Sequence, residues 1–418
     1  MTKIKAIYAE EIFDSRGDPT IEASVELSDG TITKSSVASG SSKEAFEAYE
    51  LRDNDPNRFK GRGVLKAVTC IAEVIAPALM GVEISNQREI DKLLIALDGT
   101  QNKSRLGANS ILAVSQATVK AGALVAHLPL PVYIRTLAFS KELNKKIPIP
   151  IFNILEGGRY ASNNLDIQEF LIIPASSKDF KEALKIGVTV YHALREILVE
   201  RNLSTLSAEE GGFAPEVSSN QEAFNLIKQT IERAVYQFSY DVFLGIDACA
   251  GNFKTNNGYK LIDREIALKT EEMISFYDNF VSEFSLIYIE DPFEKSDKQG
   301  WKTLYDAISQ KVLIVGDDLT TTNPYRVQSA IDEKIINALV IKLNQIGTVT
   351  EAIDVCQKAR MNNLKIVVSQ RNSECMDGFI ADFAVGVEAN YVKFGAPARE
   401  RVIKYNRLLE INREIQTL

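Results

Sequence analysis

The chain has 418 residues, of which 45% are hydrophobic and 25% are charged. This is the composition of an average soluble protein, and it gives no compositional case for disorder. The 48 basic and 56 acidic residues give a net charge of −8, which argues against a nucleic-acid partner. The length exceeds that of one ordinary hydrophobic core, so we expect a large domain and a smaller one.

Two features of the sequence indicate the cellular compartment. Glu10 and Glu11 stand where a signal peptide would need apolar residues, and no segment reaches the ~18 apolar residues of a membrane span. The four cysteines are scattered without a Cys-x-x-Cys pair, which is typical of buried free thiols in a reducing compartment. We therefore expect a cytoplasmic protein without a membrane partner.

The first third of the chain is predicted to form a small α+β domain. Residues 21–27 alternate between apolar and polar side chains and predict a strand, and residues 31–37 follow a turn as its hairpin partner. Between residues 62 and 128, apolar residues recur at helical spacing, which predicts two or three helices covering this sheet.

A Pro-rich segment at residues 145–150 is a plausible boundary, and we place the two domains at residues 1–140 and 141–418. Beyond it, short apolar strands alternate with helical stretches at intervals of roughly 25 residues, which predicts parallel βα units. Enough such units close into a barrel, so the predicted fold class is α/β with a C-terminal (β/α)₈-type barrel. The predicted strands are residues 242–246, 286–289, 312–315, 338–341, 366–368 and 391–392.

A polar residue ends each of these strands, and in a barrel the carboxyl ends of the strands meet at one mouth. Asp247, Glu290 and Asp317 would place three carboxylates close together there, which is a costly repulsion unless a cation neutralises it. An all-oxygen set of ligands favours Mg²⁺ over zinc or copper. The sequence therefore predicts a magnesium site at the mouth.

The later strand ends add two amines, Lys342 and Lys393. Two ammonium groups beside a divalent cation disfavour each other's charge, so we expect a lowered pKa for at least one of them. A neutral lysine can act as a base, and a protonated carboxyl group from residues 166–170 or 207–213 can act as the acid. This set of groups suits removal of a proton next to a carboxylate, followed by departure of a hydroxyl group.

At these residues the sequence resembles the enolases, and the resemblance runs through nearly the whole chain. Its motifs occur in the family's order: FDSRGDPT at 13–20, ELRD at 50–53, LGAN at 106–109, NNLDIQEF at 163–170, EDPF at 290–293, VGDDL at 315–319, KLNQIGT at 342–348 and KFGAP at 393–397. The resemblance implies a smaller N-terminal α+β domain, a barrel whose first strands depart from parallel order, and a homodimer or higher homo-oligomer.

The resemblance also implies a reaction, the interconversion of 2-phosphoglycerate and phosphoenolpyruvate in glycolysis, with Mg²⁺ as cofactor and a small phosphorylated carboxylic acid as substrate. Matched position by position, it implies the following roles: metal ligands Asp247, Glu290, Asp317 and the loop residue Ser42; base Lys342; acid Glu210, assisted by Glu169; Lys393 at the substrate carboxylate; Arg371 at the phosphate; and Gln370, Asn372 and Tyr160 as further substrate contacts alongside Glu290 and Asp317.

Several positions depart from the family pattern. Where the family has His-Arg-Ser-Gly-Glu, this chain has QRNSE at 370–374, so Gln370 replaces a histidine at the leaving hydroxyl and Asn372 replaces a serine at the phosphate. Tyr160 replaces a second histidine, and the loop at 39–44 reads SGSSKE, with two charged residues in place of a small, flexible pair.

Three functions remain open on the sequence alone. The first is the ordinary enolase reaction, possible at low efficiency because the base, the acid and the metal ligands are all present. The second is a paralogue acting on a different phospho- or phosphonocarboxylic acid, for which the pocket is reshaped by Tyr160, Gln370, Arg159, Lys43 and Asn372. The third is a non-catalytic binding or structural protein with the same fold.

Overall fold

The structure is a computed structural model that describes residues 2–40, 46–139, 143–161 and 165–417. Its N-terminal part is a three-stranded antiparallel sheet covered by helices. The strands are β1 (Ile4–Phe13), β2 (Pro19–Leu27) and β3 (Ile32–Ser36), and the helices are α1 (Leu65–Cys70), α2 (Ala76–Leu79), α3 (Gln87–Asp98), α4 (Ala108–Val125) and α5 (Leu130–Ala138), with a π-helical turn at Ile71–Ile75 between α1 and α2.

The larger part is a closed eight-stranded barrel with helices in the connections. Its strands are β4 (Ile149–Glu156), β5 (Glu169–Pro174), β6 (Val242–Asp247), β9 (Leu286–Glu290), β10 (Leu313–Gly316), β11 (Ala338–Ile341), β12 (Lys365–Ser369) and β13 (Tyr391–Lys393), and a short hairpin of β7 (Lys254–Thr255) and β8 (Gly258–Tyr259) lies outside the barrel. The helices are α6 (Phe180–Glu200), α7 (Asn220–Arg233), α8 (Thr270–Phe284), α9 (Lys298–Ile308), α10 (Pro324–Asp332), α11 (Leu343–Ile346), α12 (Val349–Met361), α13 (Phe379–Gly386) and α14 (Val402–Thr417).

The predicted α/β fold with a C-terminal barrel is confirmed, and all six predicted barrel strands are present. Residue patterns did not find β1, β4 or β5. The Pro-rich segment at 145–150 runs into β4, where Pro150 lies opposite Val392 of β13.

One barrel strand runs against the others. β5 is antiparallel to both of its neighbours, and Glu169 at its start is paired with Glu156 on β4 and with Asp247 on β6. The other adjacent pairs are parallel. The reversal therefore brings the first residue of β5, rather than its last, to the same end of the barrel as the carboxyl ends of its neighbours.

Side chains fill the barrel, which makes it a packed core and not a channel. The inward-facing cluster consists of apolar residues and one tyrosine: Ile151, Leu171, Ile173, Tyr288, Val315, Ala338, Val340 and Val367. Outside the strands, a second and larger core continues from the barrel helices into the N-terminal helices, so that both parts share buried apolar surface. Helix starts are fixed locally, as at α12, where the Thr348 hydroxyl accepts the backbone N–H of Glu351.

Within the described ranges, no single helix is long and apolar enough to cross a membrane. Among the described helices, α4 and α5 reach that length and apolar composition only when they are taken together, and the chain bends by 107° between them.

Candidate active site

The carboxyl ends of the barrel strands surround a cavity of about 250 Å³. It is lined by charged and polar side chains: Glu47, Arg159, Tyr160, Gln168, Glu169, Glu209, Glu210, Asp247, Cys249, Asp291, Asp317, Asp318, Lys342, Arg371, Asn372 and Lys393. Nine of the predicted site residues are in this lining. Glu290 and Gln370 are buried directly behind it, hydrogen-bonded to Lys393 and Glu210. The predicted metal ligand Ser42 lies outside the described residues.

Lys393, the last residue of β13, lies at the centre of a carboxylate cluster. Its Nζ is 2.9 Å from Glu169 Oε2, 2.7 Å from Glu290 Oε1 and 3.4 Å from Asp247 Oδ2. The Lys393 side chain is 2% exposed, so these ionic hydrogen bonds replace the hydration of its ammonium group almost completely. Burial acts to lower the pKa of Lys393, but the attraction of these carboxylates outweighs it and the pKa lies well above its usual value.

Lys342 follows β11 and forms an ion pair with Asp317, which follows β10. Burial acts to lower the pKa of Lys342, and the attraction of Asp317 outweighs it, so this pKa is also raised. The expectation of a lowered lysine pKa is therefore wrong: each ammonium group lies against carboxylates, whose attraction exceeds the repulsion between the two lysines.

The described residues include one group of carboxylates whose oxygens lie close enough to share a cation: Asp291, Asp317 and Asp318, with one oxygen from each within 4.8 Å of the others. The Asp291 carboxylate also accepts the backbone N–H groups of Asp317, at 3.1 Å, and of Asp318, at 2.7 Å. Asp317 is common to this group and to the predicted set of ligands, in which Asp247 and Glu290 instead contact Lys393.

The cavity as a whole fits a divalent cation. Eight carboxyl groups and four cationic side chains line it. Burial, together with neighbouring carboxylates, raises the pKa of Glu169 and of Asp291 well above the usual value, so the lining carries an excess of negative charge that the protein alone does not neutralise. Carboxylate oxygens are the ligands that Mg²⁺ and Ca²⁺ prefer, and no imidazole is among the lining residues. A hard divalent cation held by these oxygens would remove the excess.

Glu210 lies on the wall formed by β4 and β13. Its backbone N–H donates to the buried carboxylate of Glu156, at 3.2 Å, and its side-chain Oε2 accepts the amide Nε2 of Gln370, also at 3.2 Å. Gly395 makes this contact possible: it has φ +77°, and a Cβ there would lie 2.5 Å from Gln370 Nε2. Gln370 is 1% exposed, and its Oε1 has no hydrogen-bond partner among the described residues.

Tyr160 is half-buried and lines the cavity beside this wall. Burial, together with the negative charge of Glu210, raises the pKa of the Tyr160 phenol well above its usual value. The phenol therefore stays protonated at neutral pH, and it offers the cavity a hydrogen-bond donor where a histidine would offer an exchangeable proton.

At the other side of the cavity, the N-terminal part contributes a residue that the sequence patterns did not reveal. Glu47 accepts two hydrogen bonds from the Arg371 guanidinium, at 3.3 Å from Nη1 and 3.1 Å from Nη2. Gln345 Nε2 lies 3.3 Å from Glu47 Oε1 and 3.4 Å from Asp317 Oδ1. Gln345 therefore links the Glu47–Arg371 pair to Asp317, the ion-pair partner of Lys342. The sequence signal that could have found Glu47 is its place three residues beyond the end of the loop at 39–44.

Asn372, next to Arg371, donates its amide Nδ2 to Glu209 Oε2. Buried Arg401 bonds to the backbone of both segments, the one with Arg371 and Asn372 and the one with Glu209. Its guanidinium donates to the carbonyls of Arg371 and Glu209, each at 2.8 Å, and to that of Asn372. Arg401 is fully buried at the end of the 3-10 turn Arg399–Arg401, directly before α14. It therefore acts on the site through the backbone rather than by contact with a ligand.

Replacing Arg401 by methionine should lower the free energy of unfolding by about 3 kcal/mol or more, because two buried carbonyls and one partly buried carbonyl lose a charged donor. Urea unfolding measures this loss. The exposed residue Arg413 gives a matched control, since Arg413→Met removes the same charge from the adjoining helix α14 at an exposed position. Equal stability of the two variants would contradict the supporting role of Arg401.

The comparison with known protein families covers nearly the whole chain. Residues 4–134 match the enolase N-terminal domain, and residues 144–417 match the enolase C-terminal TIM barrel domain. The two matches follow one another in the order of the two structural parts, and the second spans more than half of the chain. The chain therefore belongs to the enolase family.

Proposed function

We propose that this protein is a magnesium-dependent lyase that removes water from 2-phosphoglycerate to give phosphoenolpyruvate. One observation carries the proposal: an amine and a carboxyl group face one acid-lined cavity from different walls, Lys342 from the end of β11 and Glu210 from the wall formed by β4 and β13. A base and an acid on different walls suit a reaction that takes a proton from one carbon and returns one to a hydroxyl group on the next.

In the proposed reaction, Lys342 is the base. The attraction of Asp317 that raises the pKa of Lys342 would be withdrawn when Asp317 binds a divalent cation, and the neutral amine would then take the proton from C2 of the substrate. The electron pair left on C2 forms the double bond to C3 as the C3–OH bond breaks. Glu210 donates a proton to the departing hydroxyl group, which leaves as water. Lys393 and Arg371 provide fixed positive charge for the substrate carboxylate and phosphate, and a bound divalent cation would stabilise the second negative charge that develops on the carboxylate.

The test is an assay of purified protein with Mg²⁺ and 2-phosphoglycerate, followed by the ultraviolet absorbance of phosphoenolpyruvate. We expect product formation that stops when EDTA removes the metal and returns when Mg²⁺ is added in excess. Lys342→Met provides the background rate. A wild-type rate no higher than this background, with Mg²⁺ binding verified by calorimetry, would reject the proposal.

A second candidate is the same proton abstraction on a different phospho- or phosphonocarboxylic acid. The contact between Gln370 and Glu210 favours it, because an amide replaces the family's histidine beside the acid and cannot carry a proton. If 2-phosphoglycerate is the substrate, the double variant Gln370→His, Tyr160→His should raise kcat, by roughly tenfold or more for a restored acid–base contributor. An unchanged kcat would favour the different substrate.

A purely structural role is the least favoured function, since the predicted base, acid and metal ligands that the structure describes are all ionisable side chains that line one cavity or lie directly behind its lining. We further propose a homodimer or higher homo-oligomer, a cytoplasmic location, and two domains at residues 1–140 and 141–418, with neither a nucleic-acid nor a membrane partner. Light scattering on the purified protein tests the oligomeric state.

A further inference from the structure

The strongest candidate beyond the reaction itself is the pairing of Arg371 with Glu47. Both side chains are largely buried, 7% exposed for Arg371 and 11% for Glu47. The carboxylate faces the two terminal nitrogens of the guanidinium, which is the edge that binds a carboxylate or a phosphate through two parallel hydrogen bonds. The edge of Arg371 best suited to a substrate anion is therefore occupied by an anion of the protein itself.

Glu47 is held in this place by its backbone neighbours. The N–H of Ala48 donates to the carbonyl of Gln345 at 2.8 Å, and the N–H of Tyr49 donates to the carbonyl of Asn102 at 2.7 Å. Behind the guanidinium, Gly40 leaves no room for a side chain, because a Cβ there would lie 1.8 Å from Arg371 Nη2. Arg371 is thus enclosed between Gly40 and Glu47, and an incoming anion has to compete with Glu47 for the terminal nitrogens.

We propose that Glu47 is a specificity-determining residue, an internal carboxylate that makes Arg371 select a phosphate group over a carboxylate group. The inference rests on the proposed function only in placing a substrate anion at Arg371. A free carboxylate carries the same single charge as Glu47 and lacks its attachment to the chain, so it gains little by displacing Glu47. A phosphate dianion carries more charge and a third acceptor oxygen, so it competes successfully.

This selection would solve a problem of orientation. A phosphorylated carboxylic acid carries two anionic groups, and the cavity offers a cationic side chain for each, Lys393 on one wall and Arg371 on another. If Arg371 accepted carboxylates freely, the substrate could bind reversed, with its C2 proton away from Lys342. The competition from Glu47 confines the carboxylate to the Lys393 side.

The test measures binding rather than turnover, with calorimetric titration of inorganic phosphate and of acetate into the Mg²⁺-loaded protein. The proposal expects Glu47→Gln to bind phosphate roughly tenfold more tightly than the wild type, because a neutral amide competes less well for the guanidinium. The affinity for acetate should increase by a larger factor than the affinity for phosphate, so that the ratio of phosphate affinity to acetate affinity falls. Arg371→Met should lose the phosphate site in both backgrounds.

Glu209→Gln is the matched control, because it removes the same charge from the same cavity but not from Arg371. Equal gains in Glu47→Gln and Glu209→Gln would show an effect of net charge alone and overturn the proposal. Weaker phosphate binding in Glu47→Gln would also overturn it, since Glu47 would then be a brace that holds Arg371 in place.

Glu47→Asp provides a second variant if Glu47→Gln does not fold. Its carboxylate keeps the charge, but the side chain is one methylene shorter and does not reach both nitrogens as closely, so it should give an intermediate affinity. Because the readout is anion binding, these results do not depend on turnover. Absence of product from 2-phosphoglycerate would reject the proposed function and leave the binding comparison intact.

Discussion

Replacing Lys342 by methionine is expected to lower kcat for the proposed dehydration by about 10²- to 10⁴-fold, the usual contribution of a positioned base. Methionine keeps much of the volume of the side chain but has no atom that can accept a proton. The fold should be retained, because Lys342 has one carboxylate partner, Asp317, at the edge of the cavity. Steady-state kinetics with 2-phosphoglycerate and Mg²⁺ measure the change.

Two further measurements show whether the loss of kcat is specific to the role of Lys342 as the base. Lys365→Met removes an exposed lysine at the start of β12, at the end of the barrel opposite the cavity, and should leave kcat unchanged. Calorimetry should show that Lys342→Met still binds Mg²⁺, since the substitution removes the ammonium group that competes with the metal ion for Asp317. A kcat close to that of the wild type would exclude Lys342 as the base, whereas a loss of Mg²⁺ binding would assign it a role in the metal site.

Lys393→Met is expected to cause the largest loss of stability, about 3–5 kcal/mol in the free energy of unfolding. Three buried carboxylates, those of Glu169, Asp247 and Glu290, would lose the ammonium group that neutralises them. Breaking a buried ion pair from one side is costly, because the remaining charges are left in a medium of low polarity. Urea unfolding in the presence of EDTA measures the loss.

The metal provides the decisive comparison for this variant. Mg²⁺ should restore more stability to Lys393→Met than it adds to the wild type, because a cation can take over the neutralisation of these carboxylates. Lys404→Met is the matched control: Lys404 is fully buried and 2.7 Å from one carboxylate, Glu374, outside the cavity lining. An equal gain from Mg²⁺ in both variants would contradict the role given to Lys393.

The sequence predicted those parts of the barrel in which each strand is apolar and ends in a charged residue. This pattern located β6, β9 and β13 together with Asp247, Glu290 and Lys393 at their ends, because burial and chain direction both follow from local composition there. It missed β4 and β5, since an unbroken apolar run shows neither its direction nor its partner strand. The reversal of β5 is set by pairing with β4 and β6.

Contacts between distant parts of the chain were beyond the reach of the sequence. Glu47 meets Arg371 across more than three hundred residues of chain, and no spacing pattern encodes such a pair. The expected lowering of the lysine pKa failed for a related reason: the repulsion was inferred from two neighbouring strand ends, whereas the pKa depends on which oxygens come within hydrogen-bond distance. The ligand set of Asp247, Glu290, Asp317 and Ser42 remains a prediction.

The reversed direction of β5 has a consequence for how such a pocket can change during evolution. In a strictly parallel barrel, a link between neighbouring strands must travel the full height of the barrel and carry a helix. Because β4 leaves and β5 enters at the same rim, their connection, which includes Arg159 and Tyr160, has no such distance to cover. Substitutions in this connection can change which ligands bind at the rim without changing the hydrogen bonds between the barrel strands.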